Sequence, residues 1–150
     1  MKWLILLISI YACNDSQSHN GNHLPVKDST MATLKNEITI IIGPTSYKAS
    51  LSNRETAEAF KDLLPFTINM IELNQNEKYY DLPQSLPKDS SNPKSIENGD
   101  LMLYGSNTLV LFYKPFQTSY NYTKIGKINN PEGLEKALGE GNVEVTFQLE

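Results

Sequence analysis

Six aromatic side chains, Tyr104, Phe112, Tyr113, Phe116, Tyr120 and Tyr122, crowd into nineteen positions of the chain. Aromatic faces stack on rings, prolines and other planar groups, so this density marks a candidate binding groove. Bulky residues also fill the interiors of small β-barrels, which by itself accounts for Phe112 and bears on Tyr104. Phe116, Tyr120 and Tyr122 fall in or beside a loop, where rings need another reason to cluster. The expected groove is therefore Tyr104, Tyr113, Phe116, Tyr120 and Tyr122, holding a small molecule or an extended peptide.

Other reactive groups are sparse. Both histidines, His19 and His23, lie in a polar stretch rich in Asn, Ser and Asp, and none follows. Their i, i+4 spacing suits one face of a metal-binding helix, but Gly21 and the polar setting argue against that helix, and a closed site needs more ligands. No metal or cofactor is expected. Without an imidazole in the remainder of the chain, catalysis would draw on carboxylates, tyrosine, lysine or backbone groups. Glu72, Glu77, Asp81 and Asp100 are available carboxylates, but spacing along the chain does not reveal separation in space. Asp100, after Gly99, reads as a turn organiser. Arg54, the one arginine, sits at the first turn of an expected helix, as a solvated cation or as a ligand for an anion or carbonyl.

The 150 residues allow one domain plus a terminal segment. Hydrophobic residues at 39% and charged residues at 20% are compatible with a folded core. The net charge is −4, and the thirteen Lys and Arg are scattered, so no stripe forms that would neutralise a run of phosphates. Nucleic acid is not an expected partner. With Cys13 the single cysteine, no intramolecular disulfide or cysteine-rich zinc site can form.

Met1 and Lys2 precede an apolar run, WLILLISI, that stops at Tyr11, Ala12 and Cys13. This order is that of an export signal, and a helix of that length would cover roughly 12 Å of a ~30 Å hydrocarbon layer. Ile10-Tyr11-Ala12-Cys13 resembles a bacterial lipobox, with Tyr11 departing from the usual small or aliphatic residue. The resemblance implies a lipid on Cys13, attachment to a membrane and a place in the bacterial cell envelope. The expected organisation is a signal over residues 1–12, a lipidated Cys13 and flexible tether over 13–35, and a folded domain over 36–150.

The elements that must position the aromatic residues are mainly strands. Glu37–Ile42 is β-branched and ends at Gly43-Pro44, after which Tyr47, Ala49 and Leu51 alternate with polar residues, the pattern of a hairpin. Ser52 or Asn53 can cap a short helix carrying Ala57, Phe60 and Leu64 before Pro65. Phe66, Ile68 and Met70 mark a third strand, broken by a turn at residues 74–76. Residues 81–99 hold Pro83, Pro87 and Pro93 in a long irregular stretch that compact domains seldom keep without a use. Residues 101–104 and 109–113 form an antiparallel hairpin whose continuous apolarity implies burial on both faces. A strand over 123–128 leads to Asn130-Pro131-Glu132, which opens a helix ending at Leu138 before Gly139. Val143, Val145, Phe147 and Leu149 then define a half-buried strand. The expected fold is mainly β: a closed antiparallel barrel of seven or eight strands with two short α-helices.

Residues 53–60 (Asn-Arg-Glu-Thr-Ala-Glu-Ala-Phe), following a strand and preceding Leu-Leu-Pro, resemble the first helix of cyclophilins. Lys124-Ile-Gly-Lys-Ile128 and the ten residues to Leu138 resemble the strand and final helix of that family. Leu64-Pro65, Tyr80-Asp-Leu-Pro83, Gly99-Asp-Leu-Met-Leu-Tyr-Gly105, Phe112-Tyr-Lys114 and Tyr122-Thr-Lys-Ile-Gly126 together resemble a bacterial cyclophilin-like family of unassigned biochemical role. The likeness spans residues 37–147 and implies a cyclophilin-like barrel. Cyclophilin isomerases carry an Arg in a Phe-His-Arg strand, which this chain lacks.

Three functional expectations follow. The first is an envelope-anchored, non-enzymatic binding module whose groove takes a small molecule or extended peptide. The second is a divergent peptidyl-prolyl isomerase using Arg54 as a replacement donor. The third is a structural component of an envelope protein complex.

Overall fold

The computed structural model describes residues 36–150. Cys13, His19, His23 and the expected signal and tether lie outside the described residues. Every second residue of β1 (Glu37–Ile42) is an isoleucine, and Ile38, Ile40 and Ile42 all point inward with at most 1% exposure. Side chains on a strand alternate faces, so this spacing commits one face of β1 to a core. Gly43, at φ +54°, makes the tight connection to β2 (Thr45–Leu51), whose Tyr47, Ala49 and Leu51 continue the same interior.

Eight strands close into a barrel. They are β1, β2, β3 (Phe66–Leu73), β4 (Glu77–Asp81), β6 (Asp100–Tyr104), β7 (Thr108–Phe112), β9 (Thr123–Ile128) and β10 (Val143–Leu149). Their order around the wall is β1, β10, β3, β4, β7, β6, β9, β2 and back to β1, and every neighbouring pair is antiparallel. Closure leaves the eight strands without an open edge. A separate two-stranded ribbon, β5 (Ser95–Ile96) with β8 (Phe116–Gln117), lies outside this wall.

Two helices are present among the described residues, α1 (Glu55–Lys61) and α2 (Leu134–Leu138). Phe60 of α1 stacks edge-on against Phe66 and Phe147, at 5.7 Å from each, and the helix thereby plugs one part of the barrel core. Both helices are shorter than their apolar spacing suggests. Arg54 stands at the N-cap of α1 with no side-chain cap bond, and the chain after Lys61 tightens into three-residue turns, with Leu63 and Leu64 amides bonding Phe60 and Lys61 carbonyls. The second helix does not start at Asn130-Pro131-Glu132. Asn130 instead accepts the Glu132 amide in a local turn, and Gly133, in the left-handed region, forms the N-cap. Gly139 ends α2 at φ +64°, as its position suggests.

The hairpin of β6 and β7 is buried on both faces. Leu101, Leu103, Leu109 and Leu111 point into the barrel, while Met102, Val110 and Phe112 point outward into a second, smaller cluster with Ile96 and Tyr122. The irregular residues 82–94 are pinned rather than loose. Leu82 and Leu86 are buried, the Thr56 hydroxyl donates to the Pro87 carbonyl at 2.6 Å, and Ser91 pairs with Tyr122 through two 3.0 Å backbone bonds.

Candidate functional site

The outward residues of β6 are Asp100, Met102 and Tyr104, and Met102 pairs in register with Lys124 of β9. Because β7 is registered antiparallel on the other side, Val110 and Phe112 extend the same outer face. The β5/β8 ribbon lays Ile96 and Phe116 over it, and Tyr122 closes the cluster from the β9 side. Phe112 lies 5.6 Å from Phe116 and 5.5 Å from Tyr122, the separation of offset or edge-on aromatic pairs.

At one end of this face three tyrosines form a step. Tyr104 stands 5.7 Å from Tyr122 and 6.1 Å, edge-on, from Tyr120. Tyr122 is 7% exposed, whereas Tyr104 and Tyr120 are 45% and 61% exposed, so two large rings face solvent above a buried one. Adjoining this step, Tyr122 and Met102 floor an open cleft of about 360 Å³, walled by Arg54, Ser91, Pro93 and Lys124. Arg54 is ion-paired with Asp89 of the long loop. The Asp100 carboxylate accepts the Glu97 amide at 2.8 Å, which is the turn-organising role read from its place after Gly99.

Of the residues expected in the groove, the fold thus assembles Tyr104, Tyr120 and Tyr122 directly and joins Phe116 to them through Phe112. Arg54 reaches the same face from α1, which the sequence did not connect to the aromatic cluster. Tyr113 is set apart. It is 5% exposed and packs in the main core, and its hydroxyl donates to both carboxylate oxygens of Glu72 at 2.9 Å. Phe112 ends β7 and Tyr113 is the next residue, and the two side chains enter different clusters, Phe112 the outer one and Tyr113 the main core. Proximity in sequence suggested a shared groove, and the side-chain packing separates them.

Tyr113 belongs to a polar cluster at one end of the barrel. Lys78, with no exposure, donates to Glu72 and to the carbonyls of Gly139 and Gly141 at 2.8 and 2.7 Å, so all three ammonium protons are engaged. Burial pushes the Glu72 carboxyl up, but hydrogen bonds from Lys78 and Tyr113, the Lys78 charge and the Gln75 amide outweigh it and hold the group below its usual value. The Tyr113 hydroxyl is pushed up by burial and by its bond to Glu72. Beside this cluster an open cleft of about 1120 Å³ runs along α2, bordered by Lys114, Glu132 and Glu135, with Lys114 and Glu135 ion-paired across it at 2.9 Å.

Lys78 does not stand out in the sequence. Lys78 occupies an inward position opposite Leu111, and the clue lay in the alternation Glu77, Lys78, Tyr79, Tyr80, which cannot be phased without the register. Glu77, one of the available carboxylates, faces the outer cluster beside Phe112 and is 8% exposed. Burial, with the nearby Glu72 charge, raises it to about 7. Among the described residues no group of three or more His, Cys, Asp or Glu is placed to hold a metal ion.

An eight-stranded closed antiparallel barrel with a helix packed in its core and an aromatic outer face defines a class of small β-barrel domains. The chain belongs to the Cyclophilin-like family, whose sequence model matches residues 40–148. Solved structures share the fold. The hypothetical protein AF2241 from Archaeoglobus fulgidus superposes with a TM-score of 0.58 at 20% identity, covering 76% of this chain and 94% of that one. McbB, solved in complex with tryptophan, superposes with a TM-score of 0.56 at 18% identity, covering 75% of this chain and 44% of that one. This chain therefore spans less than half of McbB, and at these identities the likeness is one of fold. No curated protein sequence matches.

Proposed function

We propose that the domain is an envelope-anchored binding module whose ligand, a small molecule or an extended peptide, lies on the outer face between Tyr104 and Arg54. The observation that carries this reading is the tyrosine step: Tyr104 and Tyr120 remain 45% and 61% exposed although each has an aromatic neighbour to pack on. Two exposed rings set edge-on to each other, one of them packed on a buried third ring, offer a preformed stacking surface at little ordering cost. The test is an NMR titration of the domain with Xaa-Pro and aromatic peptides. Shifts confined to residues 102–104 and 118–124 support the reading, and an unperturbed outer face at millimolar peptide refutes it.

Attachment would come from a lipid on Cys13, with residues 14–35 as tether. Incorporation of labelled palmitate that disappears in Cys13→Ala supports this anchor, and incorporation that persists removes it.

Arg54 beside Tyr122 favours one alternative, a divergent peptidyl-prolyl isomerase in which the guanidinium stabilises the twisted amide. Uncatalysed exchange takes tens of seconds or more. Faster cis/trans exchange, lost in Arg54→Ala, would establish the isomerase; peptide binding with unaltered exchange would leave the binding module.

A further inference from the structure

The two ends of the outer groove differ in chemistry. Tyr104, Met102 and Asp100 succeed one another on the outer face of β6, and same-face residues on a strand are spaced about 7 Å apart, so the groove runs about 14 Å. One end is aromatic. The other gathers Arg54, Lys124, Lys127, Glu97, Asp100 and Asp89.

The charges at this second end are not equally engaged. Glu97 is paired with Lys127, and Asp100 is 4% exposed, accepts the Glu97 amide and lies 3.9 Å from Lys127. Both carboxylates that border the cleft are thus satisfied within the fold. Lys124 has no ion-pair partner among the described residues, and it stands beside Met102 and Tyr122 on the cleft wall. Arg54 has one partner, Asp89, whose side chain is 80% exposed. Exposed ion pairs contribute little, so an incoming carboxylate can take the place of Asp89. A guanidinium binds carboxylates through two parallel hydrogen bonds, and an ammonium adds a point charge.

From this arrangement we infer that the charged end of the groove is a carboxylate subsite, in which Arg54 and Lys124 hold the anionic head of a ligand whose aromatic or apolar body lies on Tyr122 and Met102. The inference rests on the outer face being the binding groove and adds the chemical class of its occupant.

The experiment compares N-acetylphenylalanine with its uncharged amide, titrated into the full chain and followed by NMR shifts. The acid is expected to shift Tyr122 and Lys124 resonances and to bind at least fivefold more tightly than the amide. Added salt should narrow that difference. Acid and amide titrated into the double variant Arg54→Gln/Lys124→Gln should bind with affinities within about twofold of each other, so that the acid's advantage is lost. Equal binding of acid and amide at the groove overturns the carboxylate subsite and leaves the groove standing. An advantage that survives the double variant overturns the assignment of Arg54 and Lys124. No shift with either compound overturns the inference, and the peptide titration above then decides separately whether the face binds at all.

Discussion

The ammonium of Lys78, wholly buried, is ion-paired to the carboxylate of Glu72, six residues earlier and directly opposite on the neighbouring strand. The same ammonium holds the Gly139 and Gly141 carbonyls, so one side chain ties the loop between α2 and β10 to the barrel wall. Removing one partner of a buried pair leaves an uncompensated charge, which typically costs about 3–5 kcal/mol. Glu72→Gln is expected to lower stability by that order in chemical denaturation. A loss under about 1 kcal/mol would show that the two carbonyls suffice for the ammonium.

Glu77 gives the domain a pH dependence of opposite sign to that of Glu72. Its folded value is about 7 against an ordinary 4.5, so between these pH values the folded protein keeps a proton that the unfolded chain releases. Stability from this group is full below about pH 4.5, falls as pH rises through that window and is level above about 7. Glu72, held low, works the other way and loses its contribution as pH falls below its ordinary range. Glu77→Gln should therefore stabilise the domain by about 1–3 kcal/mol at pH 8 and have little effect near pH 4.5. Melting temperatures at the two pH values test this, and equal effects at both would contradict it.

Tyr120 and Tyr122 should respond differently to truncation. Tyr120 is 61% exposed, so Tyr120→Ala is expected to leave the melting temperature within a degree or two (~0.5 kcal/mol or less) while weakening ligand binding. Tyr122 packs on Tyr104 and Phe112, and Tyr122→Ala should cost about 3 kcal/mol. Thermal melts beside ligand titrations separate the two roles.

Gly126 marks the closest approach of β9 to β2. A Cβ there would lie 2.6 Å from the Ser50 carbonyl oxygen and 3.2 Å from the Leu51 Cα, both backbone atoms that can move only by displacing the strand. Gly126→Ala is expected to destabilise by about 2 kcal/mol or more, read as a shifted denaturation midpoint. A neutral substitution would mean that the strand pair relaxes without loss of register.

Much of the barrel is legible in local patterns. Ile38, Ile40 and Ile42, or Tyr47, Ala49 and Leu51, reveal a strand because a period of two places alternate residues on one face. The unbroken apolar runs in β6 and β7 signal burial on both sides, and both sides are covered, by the barrel core within and by the ribbon without. The ribbon itself escapes such reading. β5 and β8 are two residues each, too short to show any period, and they pair across twenty residues of chain. The start of α2 is misjudged for a related reason, since an asparagine before a proline serves an isolated turn as well as a helix cap.

The aromatic cluster was visible as a density of rings, and the lack of a histidine after His23 narrowed the available chemistry to tyrosines, carboxylates, lysines and backbone groups. Which rings share a surface was decided by tertiary structure. Tyr113 follows Phe112 in the chain yet faces the opposite side of the wall, while Arg54, fifty residues or more from any of the tyrosines in the step, lines the same cleft as Tyr122. Strand alternation and barrel closure set those neighbourhoods, and closure depends on register between strands distant in sequence. The side-chain pattern of a single segment carries the period of its element, but the partner it meets across the barrel is a property of the whole chain.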